Sequence, residues 1–239
     1  MKKIIKQFIK LTDILRNRFF LTALLKGVAA GAEHVRMLNS LDCSHIIDIG
    51  ANKGQFALVA RKEFPKARID SFEPLSDAAD IFEKVFKNDD DTFLHRIAVG
   101  KKEDVATIHV SNKADSSSLL PIGENQVSLF PGTQELEQRS IKVAPLERII
   151  ARNDIQQPAM LKIDVQGYEL EVLYGCQSLF DKINYIYCEC SFFELYEGQA
   201  LTHEIIEFLS QNGFKLTGIY HVHYNKSGIA IQADFLFSS

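Results

Sequence analysis

The first half of the chain alternates short apolar runs with longer amphipathic stretches, and this alternation restricts the fold more than any other feature. The segments 45–49, 67–72 and 93–99, short and with apolar residues along them, predict three strands. Between them, 55–64 and 75–86 carry apolar residues at helical spacing and predict two helices. Strands joined by crossover helices form parallel sheets that are covered on both faces. We therefore predict a doubly wound α/β fold.

The second half of the chain continues the alternation and ends in two strands. Four further elements are predicted, alternately strand and helix: 160–165, 168–180, 184–190 and 202–211, the last capped by Thr202. The final apolar runs, 214–221 and 229–237, are joined by an Asn-Lys-Ser-Gly turn and predict an antiparallel hairpin. The complete prediction is a mostly parallel seven-stranded sheet that ends in an antiparallel C-terminal hairpin.

Residues 111–139 interrupt the alternation. They are rich in Ser, Gly and Pro and show no strong periodicity. An extra strand at 105–110 precedes them, and a short strand at 140–144 and a short helix at 145–151 follow. Because loops of this length in a compact domain are usually functional or disordered, we predict that this segment covers a ligand site.

The N-terminal residues 1–40 differ from the rest of the chain in charge. Eight Lys or Arg residues against two acids give +6, so the total of −4 leaves −10 on the remaining body. Apolar residues at helical spacing predict a basic amphipathic helical extension to a domain at 41–239. Such helices pack on their own domain, associate two chains, or contact an anionic membrane surface, and the sequence leaves these alternatives open. The acidic body argues against general nucleic-acid binding.

The cysteines and the absence of a secretory pattern indicate the compartment. The four cysteines lie at no metal-binding spacing, which favours reduced thiols in the core. The apolar stretch 19–32 is interrupted by Lys26 and is too short to span a bilayer. We predict a cytoplasmic protein, with peripheral contact at the inner face of the membrane left open.

The loop after the first strand carries two glycines. A dinucleotide site needs glycines where this chain has Gly50, Asn52 and Gln55, and a P-loop needs a Gly-Lys-Ser/Thr sequence that does not follow. Gly50 and Gly54 let the backbone approach a ligand, and Asp48 can accept from an ammonium. This loop suits an amino-acid-like cofactor with an amine and a carboxylate.

The ends of the next two strands supply further ligand contacts. Ligands of open α/β sheets bind beyond the carboxyl ends of the strands. Glu73, about twenty residues after the glycine loop, is placed to accept hydrogen bonds from ribose hydroxyls. Small apolar residues near Ala98 are candidates to flank an adenine.

Four segments, "DIGANKGQF", "SFEP", "IAVG" and "LKIDVQGYELEVL", occur in the order found in the FkbM-type methyltransferases. Over residues 46–237 the chain resembles this branch of the Rossmann-like class I enzymes. The resemblance implies S-adenosylmethionine as cofactor and O-methylation, commonly of a sugar or polyketide hydroxyl. By position it assigns Asp48, Gly50, Asn52 and Gly54 to the methionine end of the cofactor and Glu73 to the ribose. We add Ala98 and Ser117 as cofactor contacts.

The chain departs from the family pattern at two places. Gln166 stands where relatives usually have Glu, so it cannot act as a base or as a strong metal ligand. Pro145-Leu146-Glu147 stands where relatives commonly have Thr-Leu-Asp. Any family role that needs a negative charge at position 166 is therefore in question for this chain.

The catalytic candidates follow the fourth predicted strand of the main sheet. A hydroxyl acceptor needs a base within hydrogen-bond reach, and Asp164 is the best placed candidate, with Lys162 two residues before it. Asp164 and Glu189 end adjacent strands and offer oxygen ligands to Mg²⁺, although Lys162 can neutralise Asp164, so a metal is not favoured. His221 and His223 alternate on one strand face and are secondary candidates for a base or a metal ligand.

The resulting hypothesis is an S-adenosylmethionine-dependent O-methyltransferase that acts on a small-molecule or glycan acceptor. Two alternatives stay open. One is a nicotinamide-dependent oxidoreductase, which the failed glycine pattern disfavours. The other is a non-catalytic binding protein on the same fold that attaches to membranes through residues 1–40. Association into a homodimer is also left open.

Overall fold

The computed structural model describes residues 18–239, which form a seven-stranded sheet flanked by helices and a second, smaller sheet. The main sheet has the order β3-β2-β1-β7-β8-β10-β9. Its first five strands are parallel, and β10 pairs antiparallel with both of its neighbours, β8 and β9. The main-sheet strands are β1 (His45–Ile49), β2 (Arg68–Phe72), β3 (Thr92–His95), β7 (Ala159–Ile163), β8 (Tyr185–Ser191), β9 (Lys215–Tyr224) and β10 (Ala230–Ser238). The predicted doubly wound fold with its C-terminal hairpin is confirmed.

The helices lie on both faces of this sheet, as its apolar strands require. β1 and β7 are buried along their whole length. Two buried clusters of apolar side chains, one on each face of the sheet, hold the helices against it. The α-helices are α1 (Arg18–Leu25), α2 (Val35–Leu38), α3 (Gln55–Glu63), α4 (Ser76–Phe86), α5 (Glu124–Leu129), α6 (Glu169–Cys176) and α7 (Thr202–Gln211).

The second sheet, of order β4-β6-β5, corrects two predictions. The single strand expected at 93–99 is divided, because the chain turns after His95 and Ala98–Val99 forms β4, which pairs with β6. β5 (Asp104–Ser111) pairs antiparallel with β6 (Glu135–Ala144). The first four residues of β6 are exposed. Hydrophobic periodicity therefore detected only its buried end at 140–144.

Three element boundaries also differ from the prediction. The helix expected at 168–180 ends as an α-helix at Cys176 and continues as a 3₁₀-helix over Gln177–Lys182. The short helix expected at 145–151 is the 3₁₀ turn Leu146–Arg148. Thr202 is the first residue of α7 and not its cap, since its hydroxyl donates to the Ser191 carbonyl. The Leu201 N–H instead donates to Glu204.

The segment before β1 packs on the body of the domain over its described part. Phe20 and Ala23 of α1 and Met37 and Leu38 of α2 are buried in the same apolar cluster as α3. The Gly31 N–H donates to the Gln55 carbonyl at 2.9 Å. The basic amphipathic helix expected around residues 4–15 lies outside the described residues. Within 18–239, no helix has the length and apolarity needed to cross a membrane.

The cysteines lie in the core. Cys43, Cys176, Cys188 and Cys190 are all buried, and none forms a disulfide. Burial raises the pKa of the Cys43 thiol to about 12. A thiol with so high a pKa is a weak nucleophile.

Candidate active site

A cavity of about 300 Å³ opens beyond the carboxyl ends of β1, β2 and β7. Its walls come from the loop after β1, the end of β2, the second sheet, the segment after β5, the end of β7, and residues 31–34. Most of the predicted site residues line it: Gly50, Asn52, Glu73, Ala98, Ser117, Lys162 and Asp164. The structure thus brings together residues from distant parts of the sequence.

The glycines of the β1 loop are required by close approaches of the chain. Gly50 has φ +81°, and a Cβ there would lie 1.8 Å from the Asp164 carbonyl oxygen. Gly54 has φ +92°, and a Cβ there would lie 2.6 Å from the Phe86 ring. Gly50 therefore lets the ends of β1 and β7 meet beneath the cavity. Gly54 serves the packing of α3 on α4 and lies away from the cavity wall, which differs from the cofactor contact that we predicted for it.

Glu73 is buried at the end of β2, where it braces the β1 loop. Its Oε2 accepts from the Asn52 N–H at 2.9 Å, and its Oε1 accepts from the Leu75 N–H at 2.8 Å. Burial raises the pKa of Glu73 to about 7, against the opposing effect of these two backbone donors. Each carboxylate oxygen can accept a further hydrogen bond, so Glu73 can both hold the loop and receive hydroxyl donors from a ligand.

Asp48 and Lys162 form a buried ion pair under the cavity. β1 and β7 run in register, so these two residues are direct neighbours. Lys162 Nζ lies 3.1 Å from Asp48 Oδ1 and donates to the Gly50 carbonyl at 3.3 Å. Burial opposes the charge of Lys162, but Asp48 and Asp164 outweigh burial and raise its pKa above the usual value. Because this ammonium stays protonated, the geometry favours an orienting role for Lys162 over proton transfer.

Asp164 is the most open carboxylate at the floor of the cavity. Its side chain is 40% exposed, and its Oδ2 lies 3.7 Å from Lys162 Nζ. Gln166 Nε2 donates to Asp164 Oδ1 at 2.8 Å and also to Glu189 Oε2 at 2.9 Å. The Tyr196 hydroxyl donates to Gln166 Oε1, which fixes the orientation of the amide. Asp164 therefore has one oxygen held by Gln166 and the other beside an ammonium.

Gln166 bridges Asp164 and Glu189 with its amide group. Its NH₂ group supplies one hydrogen to each carboxylate, the two contacts that a cation would otherwise make. Burial, followed by repulsion from Asp164 and Asp234, raises the pKa of Glu189 well above its usual range. Glu189 is therefore poorly suited to ligate Mg²⁺ next to Asp164.

The two histidines of β9 have different surroundings. β9 has one extra residue opposite the Gln232–Asp234 step of β10, since Tyr220 pairs with Asp234 and His223 with Gln232. His221 lies at this bulge with φ +46°. Its Nδ1 is 2.7 Å from Asp234 Oδ2, whereas His223 is exposed near Phe130.

His34 is a residue of the cavity wall that the sequence analysis missed. It lies in the turn before α2, and its ring contacts Phe56, Tyr187 and His221. Burial lowers its pKa to about 4, so the ring is neutral at pH 7. No local motif surrounds His34, so only the fold reveals its place beside the cavity.

The cavity lining fits S-adenosylmethionine, the cofactor that the sequence resemblance implies. Asn52 Oδ1 and Gln55 Oε1 line it, are buried, and have no hydrogen-bond partner within residues 18–239. Such acceptors suit the donors of a polar ligand. Apolar side chains occupy another part of the wall and offer a surface for an aromatic base: Phe72, Leu75, Ala98, Val99, Ile108 and Ile141.

Comparisons with known proteins agree with this geometry. The methyltransferase FkbM domain matches residues 48–216. The chain is 26% identical over 202 residues to the 2-O-methyltransferase NoeI of Sinorhizobium fredii, which covers 81% of this chain and 83% of NoeI. It is also 26% identical over 195 residues to methyltransferase sdnD of Sordaria araneosa, which covers 72% of this chain and 74% of sdnD. The chain therefore belongs to the FkbM methyltransferase family and is an S-adenosylmethionine-dependent enzyme.

Proposed function

We propose that the protein transfers a methyl group to a hydroxyl oxygen of a sugar or glycan-type acceptor. The observation that carries the proposal is the half-open carboxylate of Asp164 at the floor of the cavity, beside the buried Lys162. A hydroxyl is a poor nucleophile until a base receives its proton. The similarity to a relative named a 2-O-methyltransferase supports oxygen as the acceptor atom.

The polar wall around Asp164 supports a polyhydroxylated acceptor. Asp115, Ser117 and Gln166 line the same cavity and offer hydrogen-bond donors and acceptors. Asp115 and Ser117 belong to the segment after β5, which forms one side of the cavity above the sheet. Several polar groups on one wall suit several hydroxyls on one acceptor, as in a sugar ring.

Different residues would hold the amino-acid end, the ribose and the adenine of the cofactor. Asn52 and Gln55, with their unpartnered oxygens, and the Gly50 backbone would hold the amino-acid end. Glu73 would accept from the ribose hydroxyls, and Ala98 lies in the apolar part of the wall, which suits adenine. When bound, S-adenosylmethionine supplies a methyl group on a positively charged sulfur, which is open to attack by an oxygen nucleophile.

The protein's part in the reaction is alignment, proton acceptance and exclusion of water. Asp164 accepts a hydrogen bond from the acceptor hydroxyl and then its proton. Lys162 holds the β1 loop through the Gly50 carbonyl and keeps positive charge beside Asp164. Residues 114–119 line the opposite side and help to limit the access of water.

The first test is calorimetric titration of the protein with S-adenosylmethionine and S-adenosylhomocysteine, on the wild type and on Glu73→Ala. Saturable binding that the substitution weakens is the expected result. The second step offers free sugars, nucleotide sugars and lipid-linked oligosaccharides with labelled cofactor and locates the new methyl group by mass spectrometry. A methyl group found on nitrogen or carbon would overturn the proposal.

The role of Asp164 is tested with Asp164→Asn and the matched surface variant Asp90→Asn. Loss of the proton acceptor is expected to lower kcat by about 10²- to 10⁴-fold while cofactor binding is retained. Asp90 is exposed and far along the chain from the site, so its variant is expected to match the wild type. Equal kcat in wild type and Asp164→Asn would remove Asp164 from the mechanism.

A further inference from the structure

Three side chains at one end of the cavity form a cluster that methyl transfer does not use. His34 precedes α2, while His221 and Asp234 face each other on β9 and β10. One ligand atom from each of the three lies within 4.8 Å of the other two. We propose that His34, His221 and Asp234 bind a divalent transition-metal ion of the zinc class.

The chemistry of the ligand set matches such an ion. Two imidazoles and one carboxylate are a common three-ligand set for zinc, and the fourth position is left to water or another oxygen. His221 Nδ1 lies 2.7 Å and His34 Nδ1 3.8 Å from Asp234 Oδ2. Ligands of a tetrahedral zinc ion with bonds of about 2.0 Å are roughly 3.3 Å apart. These two separations lie within roughly half an ångström of that value, so a modest adjustment of the side chains would admit the ion.

His221 is oriented by a second contact through its other ring nitrogen, as metal ligands usually are. His221 Nε2 lies 3.0 Å from the Glu33 carbonyl oxygen. An N–H at Nε2 leaves the lone pair at Nδ1, the atom that faces the cluster. The Tyr187 hydroxyl lies 2.8 Å from Asp234 Oδ2, 3.1 Å from His34 Nδ1 and 3.3 Å from His221 Nδ1. It therefore stands at the fourth corner of the ligand set, the position that water or another oxygen would take around the ion.

The backbone supports a dedicated role for His221. Its φ of +46° lies in the left-handed region, where residues other than glycine are uncommon. Conformations of this kind are strained and are concentrated at functional sites. The bulge that produces this conformation brings His221 against Asp234 and Glu33.

The position of the ligands separates this site from the family's shared domain. His34, His221 and Asp234 all lie outside residues 48–216, the part of the chain that the family domain matches. His34 and Glu33 line the same cavity as Asp164. The ion would therefore lie beside the wall of the methyl-transfer cavity and would be held by residues outside the segment that the family domain matches.

The test is metal binding by the full chain with any affinity tag removed. After treatment with a chelator, the protein is dialysed against Zn²⁺ at micromolar concentration, and the bound metal is counted by mass spectrometry. One Zn²⁺ per chain is expected. His34→Ala and His221→Ala are each expected to weaken binding at least tenfold. His223→Ala, an exposed histidine on the same strand, is the matched control and should bind as the wild type does.

A second measurement, the visible absorption of bound Co²⁺, uses only the wild-type protein. Co²⁺ added to the chelated wild type should give the intense visible absorption of a four-coordinate site, and Zn²⁺ should remove it. Binding of less than one Zn²⁺ per wild-type chain would overturn the proposal. His34, His221 and Asp234 would then be a hydrogen-bonded cluster without a metal. Binding that survives in the His34→Ala/His221→Ala double variant, or that His223→Ala abolishes, would overturn it equally. Binding of S-adenosylmethionine, measured separately, reports on the proposed function independently.

Discussion

Lys162 Nζ lies 3.1 Å from Oδ1 of Asp48, and both side chains are buried under the loop that ends β1. A buried ion pair adds little net stability, but loss of one partner leaves an uncompensated charge that costs about 3–5 kcal/mol. The pair joins β1 and β7, whose carboxyl ends lie under the cavity. Loss of one partner would therefore destabilise the part of the fold that carries the site.

We expect Lys162→Met to lower the free energy of unfolding by about 3–5 kcal/mol, because Asp48 then stays buried without its partner. The measurement is a urea titration followed by circular dichroism. Lys142→Met, on the exposed face of β6, is the control and should change stability by less than about 0.5 kcal/mol. Equal stability of both variants would show that Asp48 does not depend on Lys162.

Cofactor affinity is expected to depend on pH through Glu73, whose pKa burial raises to about 7. The ionised form is the better acceptor for ribose hydroxyls. Its fraction rises from about a tenth at pH 6 to about nine tenths at pH 8, so affinity should rise by up to about tenfold over this range. Calorimetry at the two pH values measures it. Glu73→Gln should bind more weakly and without this pH dependence, whereas an unchanged pH profile would assign the titration to another group.

Gln166→Glu tests the amide bridge between Asp164 and Glu189. The variant loses both N–H donors and places a third carboxylate beside the other two. Repulsion raises the folded-state pKa values of these acids, so stability should fall as the pH rises above about 4.3, the unfolded value of Glu. At pH 8 the loss should be of order 3 kcal/mol.

Urea titrations of Gln166→Glu at pH 5 and pH 8, with and without millimolar Mg²⁺, make the measurement. Mg²⁺ should restore part of the lost stability at pH 8, since three neighbouring carboxylates then offer oxygen ligands to the cation. Gln134→Glu, at an exposed position before β6, should show neither effect. A variant as stable as the wild type at pH 8 would argue that the bridge contributes nothing.

Gly50→Ala and Gly228→Ala compare two glycines with nearly the same backbone angle. Their φ values are +81° and +80°, but a Cβ at Gly50 meets the Asp164 carbonyl at 1.8 Å, whereas one at Gly228 meets nothing within 4 Å. Gly228→Ala should cost about 1–2 kcal/mol from the left-handed conformation alone. Gly50→Ala should cost more than this and weaken cofactor binding. Thermal unfolding and calorimetry separate the two effects, and equal costs would contradict the close approach.

The main sheet was predictable because its strands are apolar and its helices amphipathic. β1 and β7 are buried throughout, so their sequences are apolar apart from His45, Asp48 and Lys162. β6 was found only in part, because its exposed residues carry polar side chains that resemble a loop. The division between β3 and β4 was missed because only two polar residues, His95 and Arg96, separate the apolar residues of the two strands.

The site was predictable where residues follow strand ends and not where they depend on distant contacts. Asn52, Glu73 and Asp164 each come directly after a strand, so the rule for open α/β sheets found them. His34 and Asp234 lie 200 positions apart and meet only through tertiary packing. In the same way, Asp70 on β2 accepts hydrogen bonds from His45 on β1 and His95 on β3. No local sequence pattern predicts these contacts.

Residues 31–34 precede β1, yet they form one wall of the cavity and bind the body of the domain through Gly31. A fragment of this protein that began after α2 would keep the strand ends but open the compartment to solvent on the side of His34. The strand ends and the stretch before β1 thus enclose one compartment from separate parts of the chain.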